Sequence, residues 1–405
     1  MWALVALLLL TLSGVGLGAP PTLPRAGSDF VQDEVLVKFA TGIDPVRIAQ
    51  EAGARIHRRI GSLPIYVLKV PRGMVGRTIS TLSRSSVVEF AEPNGFLYAL
   101  GVPNDPYITT CYPSSDGRCT TQWAWGVVHA YEAWDVATGS TAVRVAVVDT
   151  GIDVGDPNGF PPDEGHEDLT TCQSIIAQSF ISGESGNDDN GHGTHIAGTI
   201  GACTNNATGV AGANWAVQLM GVKVLDFFGS GTDADVAAGI AWAADNGARV
   251  INLSLGGGPS STLQAAVDYA WGKGAVLACA AGNNGTTDFV YPAAYPNCIA
   301  VAATDENDVR APFSTYGTWV SVGAPGVHIL STMQDNFYWC FLCWGLGYFP
   351  TYDSLSGTSM ATAFVSGLAA LIWARGLCTT NACVRSEIET TADPVAGTGT
   401  YWRNG

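Results

Sequence analysis

The chain reads as an α/β protein, a parallel sheet flanked by helices on both faces, preceded by a small α+β domain. Beyond residue 120, short continuous apolar runs recur with helical stretches between them. Such runs mark strands covered on both faces, as in parallel sheets. Before residue 100 the order is strand, helix, strand, helix, strand, which suits an α+β unit. The segment Gly101-Val-Pro-Asn-Asp-Pro106 interrupts the pattern and marks a boundary. The expected segments are therefore 1–18, 19–100 and 101–405.

Residues Ala3–Leu12 are apolar apart from Thr11, and a Gly-rich stretch ending Gly18-Ala19-Pro20 follows. This reads as a signal peptide cut after Gly18. The alternative is a buried N-terminal strand or helix. Met1-Trp2 supplies no basic n-region, which allows a start further upstream. The run is too short to span a bilayer as a helix, and no other segment reads as transmembrane. Residues 19–30 read as a linker. In the small domain, Glu34–Phe39, Ile65–Val70 and Val87–Ala91 read as strands, with helices over Pro45–Gly53 and Val75–Ser85. In the large domain the buried strands are Val145–Val148, Val250–Leu255, Ala275–Ala281 and Ile299–Ala303. Val217–Val224 is a weaker case, because Gln218 and Lys223 interrupt it. Helices are expected at His192–Cys203, Ala234–Asn246, Ser261–Gly272 and Ser359–Arg375.

A hydrophobic content of 47% with only 13% charged residues allows a substantial core. The net charge of −16 argues against nucleic acid as a partner. Residues 1–100 hold 10 Lys and Arg against 7 Asp and Glu, and the rest holds 9 against 28. Opposite signs on the two segments favour their docking. Export permits disulfides among the 10 Cys. Local spacing suggests Cys111–Cys119 and Cys378–Cys383. Cys340-Phe-Leu-Cys343 has no second C-x-x-C to complete a zinc site.

Three strings far apart carry the chemistry: Val145-Ala-Val-Val-Asp149-Thr-Gly, Gly191-His192-Gly-Thr-His195 and Gly357-Thr-Ser359-Met-Ala-Thr362. They supply an acid, a base and a nucleophile in the order Asp, His, Ser, which differs from the order in two other triad folds. Asp149 ends an apolar strand, where sites of α/β proteins form, though a turn-forming Asp also suits that place. His192 is a general base if Asp149 orients its other nitrogen. It also reads as a plain helix N-terminal His, or as a metal ligand with His195, although the Glu of H-E-x-x-H is missing. Ser359 opens a helix, as a nucleophile favoured by the helix dipole or as a simple N-cap. Asn283, after the strand Ala275–Ala281, can donate to an oxyanion or belong to a turn. The context G-x-S-x-A does not match the G-x-S-x-G of lipases and esterases.

With Ser254-Leu255-Gly256-Gly257 and Ala-Ala-Gly282-Asn283 added, the strings resemble the subtilases of the subtilisin superfamily, and within them the thermitase group. Thermitase-like extras are Pro103-Asn-Asp105-Pro-Tyr107, Asp268-Tyr-Ala-Trp271-Gly-Lys-Gly274 and Gly397-Thr-Gly-Thr-Tyr401-Trp402. The resemblance implies a secreted serine endopeptidase of subtilisin-like fold. In it Ser359 attacks the scissile carbonyl, His192 carries the proton, Asp149 orients His192, and Asn283 with the Ser359 N–H holds the oxyanion. It implies that Gly229-Ser230-Gly231 and Ser254-Leu255-Gly256 are edges between which a peptide substrate pairs. It implies structural Ca2+ on the side chains of Asp105, Asp168 and Asn206 and the backbone oxygens of Cys203, Thr208 and Val210. No cofactor is implied for the reaction itself.

A second calcium site is not clearly matched, because Ser179 stands where the group has Asp and the spacing of Glu184, Asp188 and Asp189 is changed. Ala363-Phe364 replaces the common Pro-His. The aromatic stretch 337–350 is an insertion, read as a loop packed on itself or as a contact surface. Residues 31–100 resemble a subtilase propeptide, chaperone and inhibitor, with self-cleavage expected after Leu100. The remaining expectations are Cys172–Cys203 and Cys279–Cys298 pairing, and a monomer acting on peptide and protein substrates.

Overall fold

The computed structural model describes residues 30–40, 42–95, 102–115, 117–155, 164–334 and 351–393. The leader over 1–18, the cleavage segment Leu97–Leu100, the insertion 337–350 with Cys340 and Cys343, and Gly397–Trp402 lie outside the described residues. The chain forms two compact units, divided between Leu97 and Tyr98.

The first unit is a four-stranded antiparallel sheet, in the order Arg55–Arg59, Ile65–Lys69, Phe30–Phe39, Val88–Gly95. Helices Pro45–Glu51 and Val75–Leu82 complete it. Asp44 caps the first helix through Val46 N, the role expected of Asp before a Pro-led helix start. Val35, Val37, Leu68 and Leu82 form its buried centre. The strand Arg55–Arg59 is missing from the sequence reading. It lies at the sheet edge, almost wholly exposed, so it shows no apolar periodicity.

The second unit is built on seven strands, in the order Val322–Pro325, Cys298–Thr304, Val276–Ala280, Val250–Leu253, Gly139–Asp149, Ala216–Lys223, Ser174–Ser179. All six neighbouring pairs are parallel. The chain builds Ser174–Ser179 and Ala216–Lys223 on one side of the Gly139–Asp149 strand, then crosses to the other side. The carboxyl end of that strand is thus a point where the winding reverses, the usual place for a site in open α/β sheets.

Alternate residues of the Asp149 strand feed two cores. Val145 and Val147 pack with Ile196, Ile200 and Ala361 of the helices His192–Gly201 and Thr358–Arg375. Ala146 and Val148 pack with Val236, Ile240, Leu263 and Val267 of Asp233–Asp245 and Ser261–Gly272. Thr358–Arg375 is buried along most of its length, as befits a helix that is apolar all round. Disulfides join Cys111–Cys119, Cys172–Cys203, Cys279–Cys298 and Cys378–Cys383, as expected. The Cys279–Cys298 pair links adjacent sheet strands.

The helix His192–Gly201 is locked from several directions. Ser331 Oγ donates to His195 O at 2.8 Å, and Thr332 Oγ1 donates to Thr194 O at 2.8 Å. The fully buried His195 ring places Nε2 3.0 Å from Ile329 O and 3.2 Å from Asp353 O. Two carbonyls can only accept, so Nε2 carries the proton. Burial, reinforced by the neighbouring His192, pushes the His195 pKa down to about 4. Between that value and the ordinary 6.5 the unfolded chain binds a proton that the native state refuses. Stability therefore falls as pH drops through this window, by about 3 kcal/mol for this one group. In a Ser359→Ala background that suppresses self-digestion, urea unfolding at pH 7 and pH 4 measures this. His195→Gln should be less stable at pH 7 yet lose about 3 kcal/mol less than its parent on acidification. Equal acid losses in the two proteins would contradict a buried neutral His195.

Candidate active site

Asp149 is the last residue of its strand and is fully buried. Its backbone oxygen accepts from Val224 N and Leu225 N of the neighbouring chain segment. Its Oδ1 accepts from Thr150 N at 2.8 Å and lies 2.7 Å from His192 Nδ1. A carboxylate acceptor there requires the proton on Nδ1, which leaves Nε2 of a neutral ring as a base. Burial pulls the His192 pKa down, but the charge and hydrogen bond of Asp149 outweigh it, and the net effect is upward.

His192 is the first residue of its helix, after Gly191 at φ +98°. The helix start is organised by the buried Asp188. Its Oδ1 accepts from Asn190 N and Gly191 N, and its Oδ2 accepts from Thr194 N and Oγ1. A carboxylate is favoured at this positive end of the helix dipole. The Asp149 turn is tied to the same helix, because Gly193 N donates to Thr150 Oγ1 at 2.9 Å. A methyl group on Gly193 would collide with Gly151 O. The glycine after His192 is thus required by the close approach of two backbones.

Ser359 is the second residue of Thr358–Arg375, whose cap is Gly357 without a side-chain bond. It is therefore not the N-cap that its position also allowed. The helices carrying Ser359 and His192 pack against each other. Ser359 Oγ donates to Ser254 O at 3.2 Å, and Ser254 Oγ donates back to Ser359 O at 3.0 Å. No hydrogen bond joins Ser359 to His192 in this state.

Asn283 is oriented by its amide oxygen, which accepts from Thr358 N at 2.9 Å and Thr358 Oγ1 at 3.0 Å. The nitrogen therefore faces the other way. A Cβ placed on Gly357 would lie 3.5 Å from Asn283 Nδ2 and 3.7 Å from Ser359 N. Asn283 Nδ2 and Ser359 N thus lie on the same side of Gly357, with Met360 Sδ equally close at 3.7 Å.

Ser254-Leu255-Gly256 continues directly from the strand Val250–Leu253. Gly229-Ser230-Gly231 lies in a turn held by Asp226, whose Oδ1 accepts from Phe228 N and Ser230 N. Asn190 Nδ2 donates to Phe227 O at 2.8 Å, which fastens this turn to the loop before His192. No hydrogen bond joins the two segments to each other.

The expected calcium residues also come together. Asp105 accepts from Asn205 N and Asn206 N, and Asp168 accepts from Asn206 Nδ2 and Val210 N. Asn206 Oδ1 accepts from Thr208 N, and Cys203 N donates to Asp168 O at 2.7 Å. Both carboxylates are buried, and among the described residues neither forms an ion pair with a Lys, Arg or His. Burial raises both pKa values. Asp168 reaches about 7, with Asp105 adding like-charge repulsion. Two neighbouring buried carboxylates, answered by N–H donors and by no protein cation among the described residues, suit a hard divalent ion.

The sequence reading missed the supports of this site. Asp188 as a helix anchor, Thr150 and Thr358 as clamps, and Lys223 as a buried cation were not assigned. For Lys223 a signal existed: a lysine inside an otherwise buried strand must find oxygen partners.

A family model described as the subtilase family matches residues 140–404, and one described as the fervidolysin N-terminal prodomain matches residues 20–94. The chain is 41% identical over 386 residues to a thermophilic serine proteinase of Bacillus sp. (strain AK1), covering 93% of this chain and 86% of that one. It is 45% identical over 305 residues to thermitase of Thermoactinomyces vulgaris, covering 75% and 96%. A solved structure of proteases from Pseudoalteromonas arctica superposes with a TM-score of 0.60 at 30% identity, covering 75% of this chain and 96% of that one. The fold, the order of the site-bearing strings and these matches agree: the chain belongs to the subtilase family, as a serine proteinase of subtilisin-like fold that carries an N-terminal prodomain.

Proposed function

We propose that this proteinase is a secreted endopeptidase that cleaves peptide bonds through Asp149, His192 and Ser359 and matures by cutting itself. The observation that carries the reading is the Asp149–His192 hydrogen bond of 2.7 Å, made by the first residue of a helix that packs against the helix whose second residue is Ser359. The hydroxyl of Ser359 turns from Ser254 O to His192 Nε2, gives up its proton there and attacks the carbonyl carbon. Asn283 Nδ2 and Ser359 N hold the oxygen that becomes negative. His192, now doubly protonated, is stabilised by Asp149 and returns a proton to the leaving amine. Water then repeats the sequence on the acyl-enzyme. The exposed backbone of Gly229–Gly231 and the strand end Ser254–Gly256 pair with an extended substrate on either side.

Export is supported by the apolar run Ala3–Leu12 and by the four disulfides among the described residues. The first substrate is the chain's own Leu97-Tyr-Ala-Leu100, cut after Leu100. The released prodomain then competes with substrates, helped by the opposite charge balance of the two segments. Ser359→Ala should lower kcat/KM on a peptide substrate at least about 1000-fold. It should also lose labelling by a fluorophosphonate and accumulate as the uncut precursor. Near-normal turnover or maturation of this variant expressed alone would refute the assignment, and an unlabelled wild type would indicate a catalytically silent binding protein.

We further propose that Asp105, Asp168 and Asn206, with backbone oxygens of Cys203, Thr208 and Val210, hold one calcium ion. The ion supplies the positive charge that the two buried carboxylates lack, and it takes no part in the reaction. An ion present at about 100 times its Kd adds roughly 3 kcal/mol, or about 5–10 °C for a domain of this size. EDTA treatment should lower the melting temperature of the Ser359→Ala protein by that amount, and calcium should restore it. Asp168→Asn should abolish the calcium response. An unchanged melting temperature would count against the site.

A further inference from the structure

We infer that Lys223 is a positioning residue for the proteolytic site, through its grip on both chain segments that carry the Asp149–His192 pair. The inference rests on the role proposed above for that pair. Lys223 is fully buried at the end of the strand Ala216–Lys223, and its register partner across the sheet is Asp149 itself. Its ammonium group donates to Thr150 O at 3.0 Å, to Leu225 O at 3.0 Å and to Asp189 Oδ1 at 2.7 Å. Glu184 Oε2 lies 3.2 Å away as a further ion-pair partner. An ammonium group has three protons, and here all three have acceptors.

These partners fall on the two sides of one contact. Thr150 follows Asp149 directly, and Asp189 lies three residues before His192 in the loop that delivers it. Thr150 also receives Gly193 N through its hydroxyl. The charge thus ties the turn behind the acid to the loop before the base. The carboxylates of Glu184 and Asp189 are partly exposed, while the ammonium is not. Breaking such a pair by removing one partner leaves the other without compensation. Without the cation, Glu184 and Asp189 would repel each other and turn toward water, drawing the 184–189 loop outward. The Asp149–His192 geometry would loosen while the peptide-pairing edges stayed in place. A displacement of about 1 Å at a reacting group costs on the order of 100-fold in rate.

The test compares wild type, Lys223→Met, Lys223→Arg and Asp189→Ala. Folding is followed by circular dichroism, kcat and KM are measured on one peptide substrate, and the Nδ1–H proton of His192 is followed by NMR in the Ser359→Ala background. We expect folded Lys223→Met to lose about 10- to 100-fold in kcat, with KM within about twofold and the Nδ1–H resonance shifted or exchange-broadened. Lys223→Arg, which keeps the charge, should recover part of the loss. If Lys223→Met does not fold, Asp189→Ala decides: a lower kcat with a displaced resonance supports the inference. A folded Lys223→Met with wild-type kcat, a change confined to KM, or an unmoved resonance in whichever variant decides would overturn it. Failure of the underlying reading shows separately, as wild-type hydrolysis that survives Ser359→Ala.

Discussion

A carboxylate with no exposure to water is the constraint around which this site is organised. Asp149 lies at the end of a strand whose neighbours are buried on both sheet faces. Moving an ionised carboxylate into such a place costs several kcal/mol unless charge and hydrogen bonds answer it. Here the answer is Thr150 N and His192 Nδ1, both on the same oxygen. The second oxygen has no hydrogen-bond partner among the described residues, so the carboxylate depends heavily on His192. The dependence is mutual. Asp149 is also what raises the affinity of the half-buried imidazole for its proton, against the effect of burial.

Holding that pair requires two backbones to approach more closely than side chains permit. Glycine at 193 allows the helix start to rest on Gly151 O, and glycine at 191 supplies a left-handed turn into the helix. Asp188 then satisfies the freed N–H groups of that turn and of the first helical residues. The string around His192 is therefore a structural prescription as much as a chemical one. Each residue in it has a partner in the Asp149 turn, the Asp188 carboxylate or the segment Ser331-Thr332.

This explains which parts of the molecule could be read from the sequence. Strands such as Val250–Leu253 and Val276–Ala280 are buried at every residue, so their apolar runs announced them. Ser174–Ser179 and Arg55–Arg59 are edge strands open to water, and Val322–Pro325 is short and ends in proline. None of these three leaves an apolar run. The residues of the proposed acid, base and nucleophile stood in short local strings, and resemblance to the subtilases supplied their roles. The supports did not stand in strings. Lys223 reaches Asp189 across 34 residues and Thr150 across 73. In sequence it looked only like a flaw in a strand. In space its burial beside four oxygens makes it a central cation of the site.

The resting position of the Ser359 hydroxyl follows from the same economy of contacts. It donates to Ser254 O, and Ser254 donates in return to Ser359 O. In the proposed reaction the proton leaves this arrangement before it passes to His192. Exchanging one neutral hydrogen bond for another costs about 1 kcal/mol. A turnover of about ten per second corresponds to a barrier of about 16 kcal/mol, so the rotation is a minor part of the climb. The reciprocal pair has a larger consequence for geometry. Ser254 opens the edge on which a substrate backbone is proposed to lie, and it is bonded at both its hydroxyl and its carbonyl to Ser359, the proposed nucleophile. Under the proposed function, register along that edge and the location of Ser359 are set by one strand end, which would place a paired peptide against the serine.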